Sequence, residues 1–190
     1  MIRRTILVSL LALVALPALA EVPMGDDGLH KPDWLRETFM DVGEDLADAA
    51  ADDRTLMLLI EQRGCSYCRQ MHEEVFVQPE IQAYIEDNMY VVQVNMFGDL
   101  EMTDLDGTVL PEKDMVARWG ALFTPTMILI PAGAAGESAA EAAAAVMPGA
   151  FGPGTTIDLL TWVHEGHHQS GDEPFQKYHA RMIEERAAAN

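Results

Sequence analysis

The stretch that decides the fold occupies residues 56–68 and reads LMLLIEQRGCSYC. Its first five residues form a continuous apolar run of strand length, which is typical of a central strand buried on both faces. Residues 61–64 follow and lead directly to Cys65, and a helical pattern of apolar residues then continues from Ser66 to residue 88. The sequence therefore predicts that Cys65 lies at the junction between a buried strand and a helix.

Cys65 and Cys68 are the two cysteines of the sequence, and they form a CxxC motif. A disulfide that closes so short a loop would stabilise the fold by only about 2 kcal/mol in the chain-entropy model, so a purely structural role gains little. Near the start of a helix, unpaired backbone N–H groups and the helix dipole stabilise a thiolate. We therefore predict that Cys65 is the nucleophile of thiol–disulfide exchange and that Cys68, one turn deeper, resolves the mixed disulfide.

Before the first strand, an amphipathic helix is predicted over residues 32–52. Four apolar residues recur there at helical spacing: Leu35, Phe39, Val42 and Leu46. The outer face of this helix is acidic.

After the cysteines, Pro79 is expected to interrupt the helical pattern, because proline disfavours helix at the residue before it. A second apolar strand at residues 90–95 is predicted to run parallel to the first through a crossover connection. Asp106 and Gly107 form a typical hairpin signal, so residues 100–110 are predicted to be a small β-hairpin insert.

The second half of the sequence predicts two further strands that are joined as a hairpin. A short helix over residues 111–119 precedes a strand over residues 123–130. The alanine-rich stretch 132–145 contains two glycines and is predicted to be a hairpin loop, and residues 146–149 are predicted to form an edge strand.

Two helices are predicted at the C-terminal end. Thr155 and Asp158 resemble a capping box, which predicts that a helix begins there. A last amphipathic helix is predicted over residues 174–188, with one apolar face formed by Phe175, Tyr178, Met182 and Ile183.

The order of elements, the CxxC motif and Thr124-Pro125 ahead of an apolar strand together resemble the thioredoxin superfamily over residues 33–168. The resemblance implies an α/β fold with a central mixed β-sheet flanked by helices, here with the small hairpin insert and an extra C-terminal helix. It also implies that Pro125 is in the cis form and that Thr124 flanks the groove for an extended substrate segment. No cofactor beyond the dithiol and no metal is expected.

Two further residues are candidates at this site. Tyr67 between the cysteines is either part of an exposed surface that contacts the substrate or an ordinary helix residue. Glu61 could accept the proton of Cys68 during resolution, a role that thioredoxins give to a carboxylate in the same strand, but the sequence favours a glutamate at the end of a strand in water. His72, two helical turns after Cys65, is expected to be a surface residue rather than a base.

Residues 61–68, 71–76 and 104–107 resemble more specifically the periplasmic thioredoxins of sulfur-oxidation gene clusters, called SoxW. This subgroup implies a reductant for periplasmic protein disulfides that is itself recharged by a membrane thiol-electron carrier of the CcdA or DsbD type. The sequence departs from the thioredoxin motif because no tryptophan precedes Cys65, and it has neither proline nor histidine between the cysteines. The reduction potential of the Cys65–Cys68 pair therefore cannot be inferred from that of thioredoxin or of DsbA.

The N-terminal sequence predicts export. Residues 1–20 contain two arginines, an apolar run and an Ala-x-Ala cleavage site, which together indicate a signal peptide and a periplasmic location. Residues 21–31 are predicted to be a loose lead-in, residues 32–170 the thioredoxin-like domain, and residues 171–190 a C-terminal helical extension. The apolar run is too short to span a membrane, so stable membrane insertion is not expected. The 190-residue chain carries a net charge of −19, which disfavours nucleic acid as a partner.

Residues 164–168 read HEGHH and match the zinc-protease signature H-E-x-x-H, with Glu184 as a possible third ligand. Gly166 places this match at the end of a helix rather than inside a rigid one, which disfavours the protease reading.

An alternative function joins these histidines to the cysteines. Cys65, Cys68, His164 and His168 have the ligand types of a Cys₂His₂ zinc site. The protein would then be a zinc-binding or structural module without redox exchange. The long separation in sequence neither supports nor excludes such a site.

Overall fold

The computed structural model describes residues 22–171 and 173–189, so the predicted signal peptide lies outside the described residues. Six strands and eight α-helices occur in this part of the chain. The strands are β1 (Thr55–Glu61), β2 (Met89–Asn95), β3 (Glu101–Thr103), β4 (Val109–Pro111), β5 (Thr126–Ile130) and β6 (Ala145–Pro148). The helices are α1 (Val42–Ala51), α2 (Ser66–Gln70), α3 (Pro79–Asn88), α4 (Glu112–Arg118), α5 (Ala139–Ala142), α6 (Pro153–His164), α7 (His167–Ser170) and α8 (Phe175–Ala188).

The central sheet has the strand order β2-β1-β5-β6. Strand β1 pairs in parallel with β2 and antiparallel with β5, and β5 pairs antiparallel with β6. Strands β3 and β4 form a separate antiparallel hairpin. These arrangements confirm the predicted mixed sheet flanked by helices and the predicted hairpin insert.

Strand β1 is buried along its whole length because both faces of the sheet are covered. Alternate residues of a strand point to opposite faces. Leu56, Leu58 and Ile60 join a core with residues of α1 and α4, whereas Met57 and Leu59 join a second core with residues of α3 and α6. This double burial explains why the strand reads as a continuous apolar run.

The predicted helix over residues 32–52 is wrong in its first half. Helix α1 begins at Val42, and the side chain of Asp41 caps it by accepting the backbone N–H groups of Gly43 and Glu44. Before it, the backbone N–H of Arg36 donates to the carbonyl of Val91 at 2.8 Å, so this segment lies along the edge of β2. The helical spacing of Leu35 and Phe39 therefore reflects no helix.

The helical region after Cys65 breaks where the sequence predicted. Helix α2 continues into a π-helical segment, Met71–Val75, and α3 begins at Pro79. The alanine-rich loop between β5 and β6 contains the single-turn helix α5, which sequence patterning missed.

The predicted capping box of α6 is wrong. Helix α6 begins at Pro153, its N-cap residue is Gly152, and no side chain caps it. Asp158 is instead buried and accepts two hydrogen bonds from the Arg186 guanidinium, at 2.7 and 2.8 Å. Arg186 lies on α8, so this ion pair ties the C-terminal helix to α6.

Helix α8 buries Tyr178, whereas Ile183 from the predicted apolar face is half-exposed. No helix among the described residues is long and apolar enough to cross a membrane.

Candidate redox site

The two cysteines lie where β1 passes into α2. Cys65 is the N-cap residue of α2, and it forms a disulfide with Cys68, with the two Cα atoms 5.2 Å apart. The backbone N–H of Cys68 donates to the Sγ of Cys65 at 3.0 Å. Because this N–H has no partner within the helix, the fold supplies a hydrogen-bond donor to Cys65 that favours a thiolate after reduction.

The two sulfurs differ in their access to solvent. Cys65 is partly exposed, whereas Cys68 is buried with 2% of its surface exposed. A partner disulfide can therefore reach Cys65 before Cys68. The division into an attacking and a resolving cysteine stays a prediction.

Thr124 and Pro125 lie beside the disulfide, at the entry to β5. The Thr124–Pro125 peptide bond is cis. The hydroxyl of Thr124 donates to the Sγ of Cys65 at 3.3 Å, and the Thr124 carbonyl oxygen is 3.5 Å from the same sulfur. Pro125 is buried, and its carbonyl accepts the backbone N–H of Gly149.

Exposed apolar side chains occur in both segments that carry the site. Tyr67, between the cysteines, is 62% exposed, and Leu122 and Phe123 directly precede Thr124 and are more exposed still. A surface of this composition is suited to contact with another polypeptide.

The favoured expectation that Glu61 lies in water and the expectation that His72 lies at the surface are both wrong. Glu61 is 1% exposed at the end of β1, and His72 is fully buried in the π-helical segment. The Nε2 atom of His72 is 3.0 and 3.1 Å from the two carboxylate oxygens of Glu61. The side-chain amide of Gln93 donates to the same carboxylate at 2.6 Å.

The segment at residues 22–31, predicted to be loose, covers this buried pair. The His30 ring stacks on His72 with 4.5 Å between centroids, and the Gln93 amide also donates to the His30 carbonyl. The Arg63 guanidinium donates to the backbone carbonyls of Asp26 and Asp27 and so holds the segment in place. Burial lowers the pKa of His30.

A cavity of about 450 Å³ lies between the covering segment and the cysteines. It is bordered by both cysteines and by Glu61, and on the opposite side by Met24, Leu29 and His30. Glu61 and the resolving cysteine therefore border one shared cavity.

The sequence contained a usable signal for the burial of His72. It follows Cys68 by four residues and Met71 by one, so on a helix it lies on the same face as Cys68 and next to the buried Met71 and Val75. The eleven-residue separation between Glu61 and His72 held no comparable signal for their contact, because only the fold brings the end of β1 against this helix.

The histidines of residues 164–168 do not assemble into one site. His164 ends α6, its Nδ1 is 3.2 Å from the Thr55 hydroxyl, and Gly166 has a left-handed backbone with φ of 75°. His167 pairs instead with Glu165. Among residues 22–171 and 173–189, no group of three or more His, Cys, Asp or Glu side chains has a geometry that could hold a metal ion.

The Cys₂His₂ alternative does not fit this fold. His164 contacts Thr55, the first residue of β1, whereas Cys65 lies beyond the other end of the same strand. Seven strand residues span about 20 Å, so these side chains cannot share a zinc ion.

The chain is similar to a known family and to several solved structures. A family model described as a thioredoxin-like domain matches residues 42–150. A thioredoxin-fold protein from Helicobacter pylori is similar in structure, with 17% identity, 73% of this chain and 88% of that chain covered, and a TM-score of 0.55. A thioredoxin from Thermus thermophilus matches with 23% identity, coverage of 65% and 83%, and a TM-score of 0.49. The DsbH oxidoreductase matches with 12% identity, coverage of 80% and 95%, and a TM-score of 0.46.

No curated protein matches the chain. The CxxC pair forms a disulfide at the start of a helix in a mixed sheet of this type, which is consistent with thiol–disulfide redox chemistry. The family match covers more than half of the sequence, and the chain belongs to the thioredoxin-like domain family.

Proposed function

We propose that this protein is a periplasmic thiol–disulfide oxidoreductase that reduces disulfides of partner proteins. The observation that carries the proposal is the position of Cys65, whose partly exposed sulfur accepts the Cys68 N–H at a helix start. Arg63 and Arg69 border the cavity beside the cysteines, and their positive charges also favour a thiolate.

The reaction transfers two electrons to the partner. The Cys65 thiolate attacks one sulfur of the partner disulfide, which forms a mixed disulfide and releases the other partner sulfur as a thiolate. Cys68 then loses its proton and attacks Cys65, which forms the Cys65–Cys68 disulfide and releases the second partner sulfur. Glu61 borders the same cavity as Cys68 and is the proposed proton acceptor in this second step.

Docking of the partner is assigned to the surface around the cysteines. Thr124 offers its backbone beside Cys65, and the exposed Tyr67, Leu122 and Phe123 offer apolar contact area. This arrangement suits an extended protein segment that carries a disulfide.

The direction of electron flow and the cellular context rest on the SoxW resemblance. In that context the partners are periplasmic proteins of sulfur oxidation or cytochrome c maturation, and a membrane carrier of the CcdA or DsbD type reduces the Cys65–Cys68 disulfide again. A reduction potential near the ~ −270 mV of thioredoxin would support a reductant, whereas one near ~ −120 mV would indicate an oxidant like DsbA.

Replacing the cysteines one at a time tests the reaction. Cys65→Ser should abolish the reduction of insulin with dithiothreitol, because it removes the nucleophile. Cys68→Ser should accumulate mixed disulfides with partners, which are detected on non-reducing gels after trapping from a periplasmic extract. Ser170→Ala, an exposed serine in α7, is the control that should leave turnover unchanged. Full turnover by Cys65→Ser would refute the proposal.

A further inference from the structure

A buried histidine lies behind the resolving cysteine without any assigned role. His72 is fully buried, and its ring is enclosed by three other rings: it stacks on His30 and Trp34 and contacts Phe76 edge-on. Among the described residues, the hydrogen-bond contacts of this ring are with the Glu61 carboxylate and are made through Nε2. Purely apolar residues would fill this position at a lower desolvation cost, so the imidazole requires an explanation.

The hydrogen-bond partners assign the proton of the neutral imidazole. The Nδ1 atom of His72 is buried and has no hydrogen-bond partner among the described residues. A proton on Nδ1 would be an unsatisfied buried donor, whereas a proton on Nε2 is accepted by Glu61. Neutral His72 therefore donates from Nε2 to the carboxylate.

This donor holds Glu61 in a defined position. The carboxylate accepts from His72 on one side and from the Gln93 amide on another, at 2.6 Å. A buried carboxylate without donors would lose the solvation of its charge without compensation, and its side chain would be free to change rotamer. With both donors in place, Glu61 remains a fixed acceptor that faces the cavity shared with Cys68.

We infer that His72 is a positioning residue that holds Glu61 as the proton acceptor of Cys68 during resolution. The inference rests on the proposed redox function. In this step the S–H bond of Cys68 breaks and its proton passes to the Glu61 carboxylate. The electron pair left on Cys68 forms the bond to Cys65, while the bond between Cys65 and the partner sulfur breaks and the partner leaves as a thiolate. His72 exchanges no proton or electron in this step; it keeps the Glu61 carboxylate in place.

The two exchange steps can be timed separately with Ellman's reagent. Attack of Cys65 on the reagent releases the first thionitrobenzoate, and attack of Cys68 on the resulting mixed disulfide releases the second. Stopped-flow absorbance of the reduced protein follows both. His72→Phe keeps a flat ring against His30 but removes both nitrogens, and Glu61→Gln removes the acceptor. His164→Phe, a histidine at the far end of β1, is the matched control.

His72→Phe should slow the second release about tenfold or more, as expected for a weakened general base, and should leave the first release within about twofold of wild type. Glu61→Gln should slow the second release at least as much. Because His72 acts through Glu61, the double variant should be no slower than Glu61→Gln alone. The control should leave both releases unchanged.

Two kinetic outcomes would overturn the inference. The first is an unchanged rate of the second release in folded His72→Phe. The second is a double variant in which the rate reductions of His72→Phe and Glu61→Gln multiply. Failure of the redox function itself is distinguishable, because the wild-type protein would then show no second release, or Cys65→Ser would react as fast as wild type.

A measurement on the wild-type protein avoids any folding defect of the variants. Nitrogen-15 NMR of the oxidised protein should show a proton on Nε2 of the His72 ring, protected from exchange with solvent. A ring with its proton on Nδ1 alone would overturn the inference, since His72 would then accept from Glu61 rather than donate to it.

Discussion

Two histidine-containing regions of this protein show opposite relations between motif and environment. Residues 164–168 match a metalloprotease signature in sequence, yet their side chains point to separate partners around the end of α6. Glu61 and His72 belong to no signature, yet they form a buried pair beside the disulfide. The comparison shows that burial and shared hydrogen bonds are better indicators of candidate functional residues than spacing in sequence is.

The largest expected effect is on stability and contrasts the two regions directly. His72→Ala should lower the free energy of unfolding of the oxidised protein by about 3 kcal/mol, because it leaves a cavity and removes a donor from buried Glu61. His167→Ala should change it by less than about 0.5 kcal/mol, because its pair with Glu165 is exposed. Urea unfolding at neutral pH measures both. Equal losses of unfolding free energy in His72→Ala and His167→Ala would contradict the proposed difference between the two regions.

A second buried carboxylate, that of Asp45, extends the comparison because it has fewer hydrogen-bond donors than Glu61. Asp45 is buried, but within the described residues it accepts a side-chain hydrogen bond from Thr38 alone. The pKa of Asp45 is raised to about 6, chiefly by burial and also by the negative charges of Asp41, Asp48 and Glu44, while the Thr38 hydrogen bond opposes the shift. Unlike Glu61, this carboxylate has no ring or amide N–H donor in the part of the chain that the structure describes.

Because the pKa of Asp45 is raised in the folded state, this carboxyl makes the free energy of unfolding fall as the pH rises. The unfolded chain ionises this carboxyl near pH ~4, below the pKa in the folded state, so ionisation favours unfolding as the pH rises from about 4 to above 6. Asp45→Asn should therefore stabilise the protein at pH 7 by about 1–2 kcal/mol and have little effect at pH 4. Urea unfolding at the two pH values tests this; destabilisation at pH 7 would contradict it.

The smallest expected effect concerns zinc. Because His164 and the cysteines lie at opposite ends of β1, zinc binding by the reduced protein should not depend on His164 or His168. Titration of the reduced wild type, His164→Ala and His168→Ala with zinc, followed by calorimetry, should give the same affinity for all three. A loss of stoichiometric zinc binding in the histidine variants would restore the metal alternative.

Much of the fold was predictable because its signals are local. The apolar run of β1, the break at Pro79, the Asp106-Gly107 hairpin and the entry to β5 at Thr124-Pro125 each depend on neighbours in sequence. The junction of β1 and α2 placed Cys65 at a helix start for the same reason.

The predictions that were wrong involve contacts between distant segments. The spacing of Leu35 and Phe39 suggested helix, but hydrogen bonding of Arg36 to Val91 keeps the chain along β2, Met40 adopts a φ of 60°, and Phe39 is 95% exposed. The capping box at Asp158 was wrong because this carboxylate is used by Arg186 on α8. Tertiary hydrogen bonds overrode the local pattern in both cases.

The amino-acid sequence by itself determined the CxxC motif, its place between a buried strand and a helix, and the order of the strands, since hydrophobic periodicity and proline or glycine signals act over a few residues. Only the tertiary structure decided that Glu61 and His72 meet, that residues 22–31 cover them, and that the histidines of residues 164–168 remain apart. The physical reason is that burial and hydrogen bonding of a polar group depend on which distant segments surround it, and a one-dimensional pattern does not record those neighbours.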